Sequence, residues 1–170
     1  MHWNESQLNK ILLVEDDPVH ARIMRRALQD AHRDDQIVHL SDGESVLEAL
    51  FQDEPPGMES TPEAAGHARS DAAMGNRADT ELPQLILLDL QLPAIDGFEV
   101  LQAIRSHDRT RHIPVVIIST SQRPGDIDHS YALGANAYLT KPVDYTVFIE
   151  KLRSLREFWL ETAELPVDNG

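Results

Sequence analysis

The chain of 170 residues contains no cysteine. That absence excludes disulfides, thiolate metal sites and a cysteine nucleophile, and it fits a reducing compartment. Long apolar runs are missing as well. None approaches the roughly 20 residues that a membrane-spanning helix needs. The opening MHWNESQLNK lacks the basic-then-apolar order of a secretory leader. A cytoplasmic protein without a membrane partner is expected. Positive charge is scarce: 15 Lys and Arg stand against 29 Asp and Glu, a formal net charge of −14. Nucleic-acid binders carry basic patches, and here the basic residues are scattered among acids, which argues against nucleic acid as a partner. The eight histidines form no HxxxH or HxH pair, so no metal is assigned to them.

What is present suits one globular domain. Apolar residues make up 41% of the chain, and the length leaves room for an insertion or a tail. Lys10–Val14 and Leu85–Leu88 are continuous apolar runs, the mark of parallel strands covered on both faces. Gln36–Leu40, Pro114–Ile118 and Ala135–Leu139 read as three further strands. Between them lie helical patterns. Asp17-Pro18 is an N-cap followed by proline in the first helical turn, and Asp42-Gly43 turns into a second helix. A third helix runs from Phe98, a fourth covers Asp126–Leu133, and a last one starts near Asp144. It carries Tyr145, Phe148, Ile149, Leu152 and Leu155 along one side. The alternation predicts an α/β fold: a five-stranded parallel sheet with helices on both faces. Asp53–Pro83 is rich in Pro, Gly, Ala, Ser and acids, and reads as a mobile insertion between the second helix and the third strand.

In such sheets, sites form beyond the carboxyl ends of the strands. Strand one ends in Glu15 and Asp16, strand three in Asp89, strand four in Ser119 and strand five in Lys141. Asp89 follows four apolar residues, and a buried carboxylate without partners would cost several kcal/mol, roughly. The shared rim supplies the partners. Carboxylates crowded together need a counter-charge, which a hard divalent cation with oxygen ligands provides. Metal and ammonium together suit phosphoryl transfer to an aspartate oxygen.

These residues resemble the receiver domain of two-component response regulators. The matching pieces are LLVEDDP at 12–18, LLDLQLPAIDG at 87–97, PVVIISTS at 114–121 and GANAYLTKP at 134–142. The resemblance implies the flavodoxin-like (βα)5 fold, with Asp89 as phosphoacceptor. It implies that Asp16 binds Mg²⁺ directly, that Glu15 holds it through water, and that Asp89 and the backbone carbonyl of Gln91 complete the metal site. Ser119 takes the switch hydroxyl position, Lys141 pairs with the phosphate, and Tyr138 is the switch aromatic. The Lys141-Pro142 peptide is expected to be cis. Asp17 is left to its helix cap.

The resemblance further implies a partner histidine kinase and an output through protein contacts, since only 29 residues follow Lys141. The receiver domain is expected over 8–160, with 161–170 as a tail. Phe158, Trp159 and Leu160 are consecutive and cannot all face one core. Either Trp159 folds back onto the domain or the three form a dimer contact. The FWL…ELP ending, the Ser-Thr-Ser after strand four and the long second loop resemble the stand-alone regulators serving bacterial phytochromes. That subgroup implies a homodimer and a phytochrome-type kinase. Three other classes compete. A degenerate receiver acting only as a binding module would need a broken acidic site. An aspartyl-phosphate phosphatase of the haloacid dehalogenase type would need a second Asp where Gln91 stands. A nucleotide binder would need a glycine-rich loop after strand one. A phosphoacceptor signalling protein, not an enzyme, is the expectation.

Overall fold

The computed structural model describes residues 10–29, 36–51 and 82–166. The expected insertion, apart from Leu82 and Pro83, lies outside these residues. Five strands are present: β1 (Lys10–Val14), β2 (Gln36–Leu40), β3 (Leu85–Leu88), β4 (Val115–Ser119) and β5 (Ala137–Thr140). They alternate with α1 (Pro18–Leu28), α2 (Gly43–Phe51), α3 (Gly97–Ser106), α4 (Pro124–Ala132) and α5 (Tyr145–Glu157). All strand pairs are parallel, in the order β2-β1-β3-β4-β5. This is the expected flavodoxin-like receiver architecture.

Side chains alternate across a strand, so the apolar runs of β1, β3 and β4 feed two cores. Leu12, Val14, Ile86, Leu88, Val115 and Ile117 pack with Val46, Leu50, Val100, Leu101 and Ile104 from α2 and α3. Ile11, Leu13, Leu85, Leu87, Val116 and Ile118 pack with Met24, Ala27, Leu28, Phe148 and Leu152 from α1 and α5. α4 contributes little, and Ser130 is its one buried residue.

Several boundaries differ from the sequence reading, each for a local reason. β4 reaches Ser119, which places that hydroxyl inside the sheet. β5 starts two residues late because Asn136 is a cap: its Oδ1 accepts from Val115 N–H at 2.9 Å and from the Arg105 guanidinium at 2.8 Å. α4 starts at Pro124 rather than Asp126, since proline suits the first helical turn. α5 runs on to Glu157 and then widens into a single π-type turn over Phe158–Thr162. The Ala163 N–H closes that turn on the Phe158 carbonyl at 2.7 Å, and Arg156 pairs with Glu161 at 2.9 Å. Widening turns Trp159 and Leu160 onto the α1–α5 core, while Phe158 stays 51% exposed.

Candidate functional site

Glu15 directly follows β1 and is fully buried. Its N–H donates to the Leu40 carbonyl, and its own carbonyl accepts from His39 Nε2 at 2.8 Å. Backbone pairing to β2 thus continues one residue beyond the strand, which holds the side chain over the sheet's end. Glu15 Oε1 accepts from the Asp17 N–H at 3.1 Å, with His20 Nδ1 3.7 Å away. Asp16 is exposed beside it. Asp17 caps α1 by accepting from the Val19 and His20 N–H groups, which holds its carboxyl below the usual range.

Asp89 directly follows β3 and is 4% exposed. Its N–H donates to the Val14 carbonyl, so the ends of β1 and β3 are locked side by side. Asp89 Oδ1 accepts from the Gln91 N–H at 3.0 Å. The turn into α3 passes through Ala94 at φ +63°, a left-handed conformation that costs a non-glycine residue about 1 kcal/mol. It then closes at Gly97, whose N–H donates to the Leu90 carbonyl at 3.0 Å. A Cβ at Gly97 would lie 2.2 Å from the Asp89 carbonyl oxygen, so glycine is what lets α3 begin directly beneath the acidic residue. Asp96 and Glu99 form a capping box over the same turn.

Lys141 joins these parts. It is 7% exposed, and its Nζ lies 2.5 Å from Glu15 Oε2 and 2.5 Å from Asp89 Oδ2. The Lys141 N–H donates to the Ser119 carbonyl at 2.8 Å, fixing the end of β5 to the end of β4. The Lys141-Pro142 peptide is trans, which corrects the expected cis bond. The ammonium reaches both carboxylates from this trans backbone, with the Lys141 N–H bonded across to β4. Burial alone would lower the Lys141 pKa, but the hydrogen bonds and charges of Asp89 and Glu15 outweigh it and raise it. Burial pushes the Glu15 carboxyl up, against the pull of Lys141.

One ammonium faces two buried carboxylates, and a third stands at the rim. Single carboxylate oxygens of Glu15, Asp16 and Asp89 lie within 4.8 Å of one another. An all-oxygen donor set with surplus negative charge fits a hard divalent cation such as Mg²⁺ or Mn²⁺. The fit is to these three residues. Gln91 is tied to the site by its N–H and by its Oε1, which accepts from the Thr120 hydroxyl at 3.0 Å.

Ser119 is fully buried, and its Oγ accepts from the Ser121 N–H at 3.2 Å. Tyr138 is half-buried, and its hydroxyl donates to the Ser121 carbonyl at 2.9 Å. Phe158, Trp159 and Leu160 lie in the turn after α5, outside this constellation. An open groove of about 570 Å³ between β5 and α5 is lined by Leu139, Val147, Glu150, Lys151, Ser154 and Leu155. It holds none of the acidic residues. Sequence reasoning missed Gly97 and Ser121. The Asp96-Gly97 pair was visible as a turn, but nothing in a pattern shows which backbone lies above a glycine.

The response regulator receiver domain model matches residues 58–153. The chain is 33% identical to the response regulator Rcp1 of Synechocystis sp. over 156 residues, covering 92% of each. It is 35% identical to the probable methanogenesis regulatory protein FilR2 of Methanothrix harundinacea over 150 residues, 88% of this chain and 83% of FilR2. Among solved structures, the phosphorylated cyanobacterial phytochrome response regulator RcpA is similar at a TM-score of 0.77 and 35% identity, over 95% of this chain and 100% of RcpA. The Mn²⁺-bound form of Rcp1 is similar at a TM-score of 0.74, over 94% of this chain and 99% of Rcp1.

Proposed function

The chain belongs to the response regulator receiver family, and from that premise we propose that Asp89 accepts a phosphoryl group from a partner histidine kinase in a Mg²⁺-dependent reaction. The observation that carries this reading is Lys141 Nζ bridging Glu15 and Asp89 at 2.5 Å, with Asp16 alongside. An Asp89 carboxylate oxygen forms the new O–P bond as the donor's P–N bond breaks. The donor imidazole departs neutral after taking a proton. A bound divalent cation offsets charge on the phosphoryl oxygens. Lys141 holds the developing acyl phosphate in register, and Ser119 offers its hydroxyl to a phosphoryl oxygen. Tyr138 shares the Ser121 link with Ser119, which supports its role as the switch aromatic.

Receiver proteins are signalling proteins, and this one acts through protein contacts made by 8–160, with 161–170 as a tail. No helix among the described residues is long and apolar enough to cross a membrane, in keeping with a cytoplasmic kinase partner. RcpA is a phytochrome response regulator by name, and similarity to it supports a phytochrome-type kinase. Phe158, exposed at the end of α5, with Trp159 and Leu160 behind it, supports a contact between two copies.

Intact-protein mass after incubation with acetyl phosphate and Mg²⁺ tests the reading. One added phosphoryl group is expected on the native chain, none on Asp89→Asn, and none when Mg²⁺ is chelated. An equal adduct on Asp89→Asn would assign the chemistry elsewhere.

A further inference from the structure

Four hydrogen bonds meet at Ser121. Its N–H donates to Ser119 Oγ at 3.2 Å, and its carbonyl accepts from the Tyr138 hydroxyl at 2.9 Å. Its own hydroxyl donates to Asp126 Oδ2 at 2.5 Å and accepts from the Arg123 N–H at 3.3 Å. One half-buried residue therefore touches the hydroxyl of β4, the aromatic of β5 and the first turn of α4. Hydroxyl-to-carboxylate bonds are short and strong, so the Asp126 link is the tight one. The bond to Ser119 is longer than the Asp126 and Tyr138 links, so Ser119 parts from Ser121 more readily than either of them does.

α4 has little else to hold its N-terminus. Arg123 at its N-cap supplies no side-chain bond, and Ser130 alone is buried along its length. The other helices with assigned caps are tied differently: Asp17, Asp96 and Asp144 bond the first-turn N–H groups of α1, α3 and α5. In α4 the first-turn carboxylate of Asp126 instead accepts from the Ser121 hydroxyl, which lies outside the helix.

We propose that Ser121 is a positioning residue that couples the Ser119 hydroxyl to the first turn of α4. Ser121, Tyr138 and Asp126 move as a unit, and that unit is released when Ser119 turns toward a phosphoryl group. The proposal rests on Asp89 being the phosphoacceptor. It assigns the coupling to a side chain bonded to Asp126 and Arg123 rather than to Glu15, Asp16 or Asp89, so chemistry and coupling separate on substitution.

Amide hydrogen exchange at Asp126 and Ile127, whose N–H groups bond the Arg123 carbonyl, reads the state of the turn. In the native chain, acetyl phosphate with Mg²⁺ is expected to speed exchange there by about fivefold, the factor one hydrogen bond supplies. Ser121→Ala is expected to show the faster exchange without the phosphodonor and no further rise with it. Its phosphorylation by mass stays at the native level. Ser121→Thr keeps the hydroxyl and restores native behaviour. If phosphorylated Ser121→Ala shows the full native rise, the coupling is overturned while Asp89 stands. If the native chain takes no phosphoryl group, both fall.

Discussion

α3 and α4 flank the same site and are held by opposite means. α3 has a capping box, starts on a glycine beneath Asp89 and buries Gly97, Val100, Leu101 and Ile104. Its Arg105 then donates to the carbonyls of Arg111, Ile113 and Gly134 and to Asn136 Oδ1. α4 has no side-chain cap, buries Ser130 alone and leaves Tyr131 50% exposed. β5 beside it is half-buried throughout, where β3 and β4 are fully buried. The residue that would take the phosphoryl group thus stands on packed, capped structure. The hydroxyl and aromatic that would respond to it border structure with few apolar contacts. Regions of that kind open at low free energy, so of the two helices α4 is the one expected to yield first.

Substitutions can break this contrast, the largest effect first. Lys141→Ala leaves Glu15 and Asp89 buried without their ammonium, and about 3–5 kcal/mol of stability is expected to go at neutral pH. Urea titration measures it. The loss should shrink on acidification. Burial already raises the Glu15 carboxyl, so the folded state takes up a proton before the unfolded state does. The Glu15 share of the penalty is full above the folded pKa and vanishes below the unfolded value near 4.5.

Gly97→Ala drives a Cβ into the Asp89 carbonyl and the Leu90 Cα. A loss of about 3 kcal/mol is expected, with slower phosphorylation of whatever remains folded. The matching change in α4 sharpens the contrast by going the other way. A Cβ at Gly125 meets nothing within 4 Å, so Gly125→Ala is expected to stabilise by about 0.5–1 kcal/mol. Equal effects at the two glycines, measured by the same titration, would remove the asymmetry.

Much of this was legible in the sequence wherever burial writes a pattern. The apolar runs of β1 and β3 are covered on both faces, so their bounds could be read residue by residue. Glu15 and Asp89 stood out because each is a charge at the end of such a run, and Lys141 because it is a charge at the end of β5. β5 was less legible, since Asn136 bonds Val115 and Arg105 across the sheet instead of continuing the strand. The trans peptide before Pro142 left no mark in the sequence, and the widened turn at Phe158 is held by the Arg156–Glu161 pair, which no pattern announces. Gly97 and Ser121 owe their roles to what lies above or beside them in space, and no spacing rule encodes that.

Lys141 meets Glu15 across 126 residues of chain and Asp89 across 52. The first and last strands are therefore both required before the acidic rim exists. A nascent chain not yet extended past residue 141 lacks the ammonium that joins Glu15 to Asp89. Closing contacts of such long range come late in folding, and domains fold as units during synthesis. The bridged pair of carboxylates is thus an attribute of the finished fold, and a chain cut short before Lys141 cannot form it.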